Sequence, residues 1–159
     1  MHRWRKAFEL SLSECLLILW AAIGLGLVEI GLRVLRFNTL IEKLNRQRPP
    51  DKAVVAPPRR AERFAYCVEL AARLYPLEPT CLKKALVLYT LLTRKGLHAQ
   101  LWIGAAKSNT QPGGPLDYHA WLEHKGKVIL GAANCERYVP LYCFNRSQTG
   151  VCTQGQSIA

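Results

Sequence analysis

An α+β fold, helices first and an antiparallel sheet after them, is what this sequence predicts, on three observations. Over residues 59–75 the apolar residues recur at helical spacing, and residues 82–92 are apolar on almost every side, as in a buried helix. Beyond Gly96 the period shortens toward two, as in a strand. Lys125-Gly126 then divides two such runs, which is how a hairpin reads. Helical and strand signals are segregated along the chain, which distinguishes α+β from an alternating parallel fold.

The 159 residues suit one domain with an extension. An apolar share of 50% and a charged share of 21% are ordinary for a globular protein, but a net charge of +11 is not. That charge asks for an acidic partner: nucleic acid, an anionic membrane or an acidic peptide. No zinc-finger spacing, recognition-helix pattern or aromatic-stacking motif is present, so nucleic acid is not the expected partner. The six cysteines (Cys15, Cys67, Cys81, Cys135, Cys143 and Cys152) include no Cys-x-x-Cys pair. Without a cluster at ligand spacing, neither a metal nor another cofactor is expected. A chain of this length without a cleavable secretion signal reads as one with free thiols in a reducing cytosol. The expected location is cytoplasmic, with membrane association left open by the first segment.

That segment, residues 1–47, is a hydrophobic helical stretch. "CLLILWAAIGLGLV", 15–28, is uncharged; Glu29 interrupts it and "IGLRVLRF" follows. The run is short of the roughly 20 apolar residues a span needs. Extending it would bring Glu14 and Glu29 into or beside the hydrocarbon, which is costly. Arg3, Arg5 and Lys6 before it, and Arg33 and Arg36 after it, would suit a helix on an anionic surface. Three readings stand: a helix packed on protein, a membrane-surface contact through residues 12–37, or a span. Residues 48–60, with two Pro-Pro pairs, read as a semi-rigid linker. The main domain is expected over 61–145, and 146–159 is expected to be a disordered polar tail.

Within that domain, "RRAERFAYCVELAARLY" (59–75) is amphipathic, with Phe64, Cys67, Val68, Ala71, Leu74 and Tyr75 on one face, so Cys67 reads as a packing thiol. Pro76 and Pro79 separate it from the next helix, for which Thr80 has an N-capping hydroxyl. From Leu82 to Leu92 that helix is apolar on almost every side, so it should be central, and Gly96 stops it. Residues 98–105 read as a strand, 107–117 as a loop, and 118–124 with 127–132 as the hairpin.

Cys81, at the first turn of the central helix, is the candidate nucleophile. The helix macrodipole, Lys83 and Lys84, and a nearby histidine could each lower a thiol pKa there. The lysines serve the macrodipole poorly, so they ask for another reason. His119 is the candidate partner, on a strand with Trp121 and Glu123 on its face. A cysteine at a helix start facing a strand histidine is a known nucleophile geometry, although an edge-strand histidine satisfied by backbone or water has the same appearance. His98 and His124 read as solvated strand-end residues.

The strings "CLKKALVLYTLLTRKGLHAQLWIGAAK" and "HAWLEHKGKVILG" resemble the transglutaminase-like superfamily and, within it, the leader peptidases of lasso-peptide biosynthesis. The resemblance covers residues 81–131 closely and 1–75 loosely. It implies a cysteine peptidase that removes the leader from a ribosomally made lasso precursor peptide, with Cys81 as nucleophile and His119 as general base and acid. It implies two partners besides the precursor: a separate leader-binding recognition protein and an ATP-dependent lasso cyclase. The family commonly has an aspartate twelve residues after the histidine, where this chain has Gly131. Asn134 and Asp117 are the candidates to orient the imidazole instead. The backbone N–H of Cys81 is the expected first oxyanion donor. Trp121 and Tyr118 are candidate cleft walls, although Trp121 fits a core role equally well. The basic run Arg46, Arg48, Lys52, Arg59, Arg60 and Arg63 could attract an acidic leader or simply solvate that face. Gly131 also supports an alternative, a non-catalytic scaffold that tethers precursor and cyclase.

Overall fold

A computed structural model describes residues 11–46, 58–107, 116–144 and 149–151. Four helices come first: α1 (Leu12–Val34), α2 (Phe37–Arg46), α3 (Pro58–Leu74) and α4 (Cys81–Arg94). Five strands follow: β1 (Gln100–Lys107), β2 (Leu116–His124), β3 (Lys127–Leu130), β4 (Val139–Phe144) and β5 (Thr149–Val151), with a 3-10 turn at Cys135–Arg137. The sheet order is β3-β2-β1-β4-β5 and its pairs are antiparallel. The α+β expectation holds. The linker falls largely on residues 47–57, outside the described residues, and α3 opens at Pro58, a helix position where no N–H is needed. Within the stretch expected as a tail, β5 pairs Val151 with Tyr142, and residues 145–148 and 152–159 lie outside the described residues.

α4 is central because it is apolar all round. Ala85, Leu86, Val87, Leu88, Tyr89 and Leu92 are buried between α1 and α3 on one side and the helix-facing side of the sheet on the other. Leu101, Ala120, Leu122, Leu130 and Phe144 supply that side of the sheet. Burying a leucine of this kind stabilises the fold by roughly 1.5–3 kcal/mol. Cys67 lies in this interior at 1% exposure, and burial, then the charge of Glu14, pushes its thiol pKa up. It is a packing residue, as its place on the α3 face suggested.

α1 is two-sided. Ala21, Leu25 and Val28 are buried on its inner face, against α3 and α4. Its two acids also serve that interface: Glu14 pairs with Arg63 of α3 and Glu29 with Lys83 of α4. Lys84 pairs with Glu69 of α3 at 3.2 Å. The two lysines at the start of α4 therefore have a structural reason, and their charges are balanced rather than directed at Cys81.

Glu14, Glu29 and Glu62 are held below the ordinary glutamate value of 4.5, chiefly by hydrogen bonds from Arg63, Lys83 and Lys127. A carboxyl with a depressed folded pKa contributes stability above its unfolded value and loses that contribution as pH falls through the folded one. The melting temperature should therefore fall as pH drops below about 4.5. Glu29→Gln should reduce that acid dependence, and identical pH profiles for the variant and the parent would contradict this account.

Candidate active site

Cys81 is the first residue of α4, half-buried at the margin of the helix-side core. Thr80 occupies the N-cap position but its hydroxyl makes no capping bond. Thr80 thus leaves the first-turn N–H groups, that of Cys81 included, uncapped, and such groups can meet a developing negative charge.

His119 lies on β2 with Gly104 as its β1 partner. Regular alternation along β2 puts His119 on the same face as Trp121, opposite Ala120 and Leu122. Trp121 is 6% exposed, stacked 6.2 Å from Trp102 on one side and 6.2 Å from the His119 ring on the other. Tyr138 stacks on the same imidazole at 5.0 Å. Trp121 is thus a buried support for His119 rather than an exposed wall. Tyr118 is 63% exposed, at the start of the strand.

The imidazole is held from one side. His119 Nε2 lies 2.8 Å from the carbonyl oxygen of Gly131. A carbonyl only accepts, so Nε2 donates to it, and in the neutral form of the imidazole the lone pair then sits on Nδ1. Gly131 has φ +75, and a Cβ there would come within 2.7 Å of the Ala120 carbonyl oxygen. The position that carries aspartate in the resembling peptidases is therefore closed to a side chain here, and its backbone bonds the ring instead. The hairpin explains the geometry. Lys125 and Gly126 both have positive φ, as a two-residue turn requires, and a bulge then pairs Leu122 with Leu130. His119 reaches the Gly131 carbonyl diagonally rather than from directly opposite.

The two candidate orienters are placed elsewhere. Asp117 lies on the His119 face but pairs with Arg137 at 3.1 Å. Asn134 is exposed, in the left-handed region before the 3-10 turn. His98 is exposed as expected, but His124 is not solvated: it is 4% exposed and its Nδ1–H donates to the His98 carbonyl. Alternation puts it on the helix side of β2, under α4. Sequence reasoning missed Tyr138 and the Gly131 carbonyl; the only signal for the latter was the absent aspartate.

Cys81 begins α4, and α4 packs along β2, the strand that carries His119. The His124–His98 bond ties the end of β2 to the turn that follows α4. From Arg94 back to Cys81 the helix rises roughly 20 Å. From His124 back to His119 the strand rises roughly 17 Å. The thiol lies at the margin of the helix side and the imidazole on the other face of the sheet, and no hydrogen bond joins them among the described residues. The described grooves run along α1, and neither residue lines them. No group of three metal-ligating side chains occurs among the described residues.

No curated protein and no solved structure matches the chain. A family profile described as the transglutaminase-like superfamily does match, over residues 24–143, from the middle of α1 to β4. That stretch takes in Cys81, His119 and Gly131 and most of the chain, which therefore belongs to the transglutaminase-like superfamily.

Proposed function

We propose that the protein is a cysteine peptidase that removes the leader from a lasso-peptide precursor, with Cys81 and His119 as its reacting pair. The superfamily includes cysteine peptidases and acyltransferases, and both use a thiolate that attacks a carbonyl. The observation that carries the proposal is the 2.8 Å contact of His119 Nε2 with the Gly131 carbonyl oxygen, which holds the ring and puts the lone pair of the neutral imidazole on Nδ1. The Cys81 thiol gives its proton to Nδ1, and the thiolate attacks the carbonyl carbon of the leader–core peptide bond. The tetrahedral oxyanion is met by the Cys81 N–H at the α4 start. The imidazolium returns the proton to the core amine as the C–N bond breaks, leaving a leader thioester that water hydrolyses. The freed amine is the group a cyclase would use to close the ring. The precursor, a leader-binding protein and an ATP-dependent cyclase are the proposed partners.

Iodoacetamide labelling followed by peptide mass spectrometry tests the pair. Cys81 should label faster than Cys135, His119→Ala should remove that advantage, and Cys67 should stay unlabelled in the folded protein. Equal rates at Cys81 and Cys135, unaffected by His119→Ala, would refute the pair.

A second reading, a non-catalytic scaffold for precursor and cyclase, is favoured by one observation. His119 shares the Trp121 face of β2, whereas Cys81 packs at the helix-side margin. This reading requires cyclisation to need the protein but not its thiol.

A further inference from the structure

We propose that α1 seats the protein on an anionic lipid surface, lying in the interface with its outer stripe in the acyl region and its inner face against α3 and α4. This goes beyond the peptidase reading and does not depend on it.

Leu12, Leu16, Leu19, Trp20, Ile23, Leu27, Ile30 and Val34 are all large, apolar and 45–85% exposed. At 100° per residue they fall within an arc of about 100°, a straight ridge roughly 33 Å long. Soluble monomers rarely expose a continuous apolar strip of that size without a use for it. The helix is long and apolar enough to cross a membrane, with a mean hydropathy of 2.3 over its most apolar window. Crossing would strip Ala21, Leu25 and Val28 from the core and break the Glu14–Arg63 and Glu29–Lys83 pairs. Lying flat keeps all of them.

Charge identifies the occupant. Beside the ridge, α1, α2 and α4 form a groove of about 280 Å3 lined by Trp20, Ile23, Leu27, Leu44, Lys43 and Arg94 among others. A second groove brings Lys95 to Leu16 and Trp20. No acidic side chain lines either one. Glu14 and Glu29, the two acids of α1, are engaged on its protein side. An apolar ridge with a basic border and an indole midway along it matches the depth profile of an anionic leaflet: acyl chains, interface, phosphates.

Co-flotation of the full-length protein with phosphatidylcholine vesicles, with and without phosphatidylglycerol, tests the proposal. Binding should require the anionic lipid and weaken at high salt. Trp20→Glu/Leu27→Glu, at outward positions, should reduce it about a hundredfold, and Lys43→Glu/Lys95→Glu about tenfold. Circular dichroism and unchanged melting temperatures verify that both variants fold. Equal flotation with neutral vesicles, or flotation of the Glu variant equal to the parent, would overturn the proposal. So would a dimer in solution that the Glu variant dissociates and that leaves the parent unable to float, because the ridge would then face a second copy. Membrane material that survives carbonate extraction would indicate a span and overturn it as well. Binding is read equally in Cys81→Ala, so it succeeds or fails separately from peptidase activity.

Discussion

Replacing Cys81 with alanine is expected to lower precursor cleavage by about a thousandfold or more, to the level of a reaction without the protein. Alanine keeps the helix start and the small volume of the site, so the variant should melt with the parent. Cleavage is measured by mass spectrometry of the proposed precursor with the proposed recognition protein and cyclase and ATP all present. With Cys81→Ala, uncleaved precursor should accumulate. His119→Ala should lose most of the activity too, since no general base is then placed to take the thiol proton or return it to the leaving amine. Cleavage that persists in Cys81→Ala would end the thiol mechanism. Cyclised product that needs the protein but not its sulfur would establish the scaffold reading.

The second large effect is expected at Gly131. Alanine there must adopt φ +75 and bring its Cβ within 2.7 Å of a backbone oxygen that cannot swing away. The left-handed conformation alone costs about 1–2 kcal/mol, and the collision brings the total to roughly 2–4 kcal/mol. That corresponds to a drop of about 5–15 °C in melting temperature. The residual folded protein should also cleave about ten- to a hundredfold more slowly, because displacing the carbonyl releases the His119 ring. Gly131→Asp is the more telling variant. It restores the residue type common in the resembling peptidases, yet it should be no more stable or active than alanine. An aspartate variant faster than the parent would show that the site can accept the missing carboxylate, and the carbonyl account would fail.

Some of this was legible in the sequence and some was not, for identifiable reasons. α3, α4 and the 125–126 hairpin could be read because each buries a defined face or needs a particular turn residue. α1 resisted because both of its faces are apolar: the residues turned inward and those turned outward are chemically alike, so no periodicity separates a packed helix from an interfacial one. The pairings of Lys83 and Lys84 lie between helices distant in sequence, which is why their position looked unfavourable locally. His124 looked solvated from its place beside a turn, but alternation turns it under α4. The partner of His119 was hardest to foresee, because a main-chain carbonyl leaves no mark in residue type. Cys81 and His119 themselves stood out through the strings around them.

The inner face of α1 has a practical consequence for handling the protein. An N-terminal greasy helix is usually treated as a removable anchor, trimmed to make the remainder tractable. Here trimming would unroof Val87 and Leu91 of α4 and leave Lys83 and Arg63 without their acids, so the shortened chain would exchange one sticky surface for a larger one. Better behaviour in solution should come from editing the outward ridge while leaving Ala21, Leu25 and Val28 untouched.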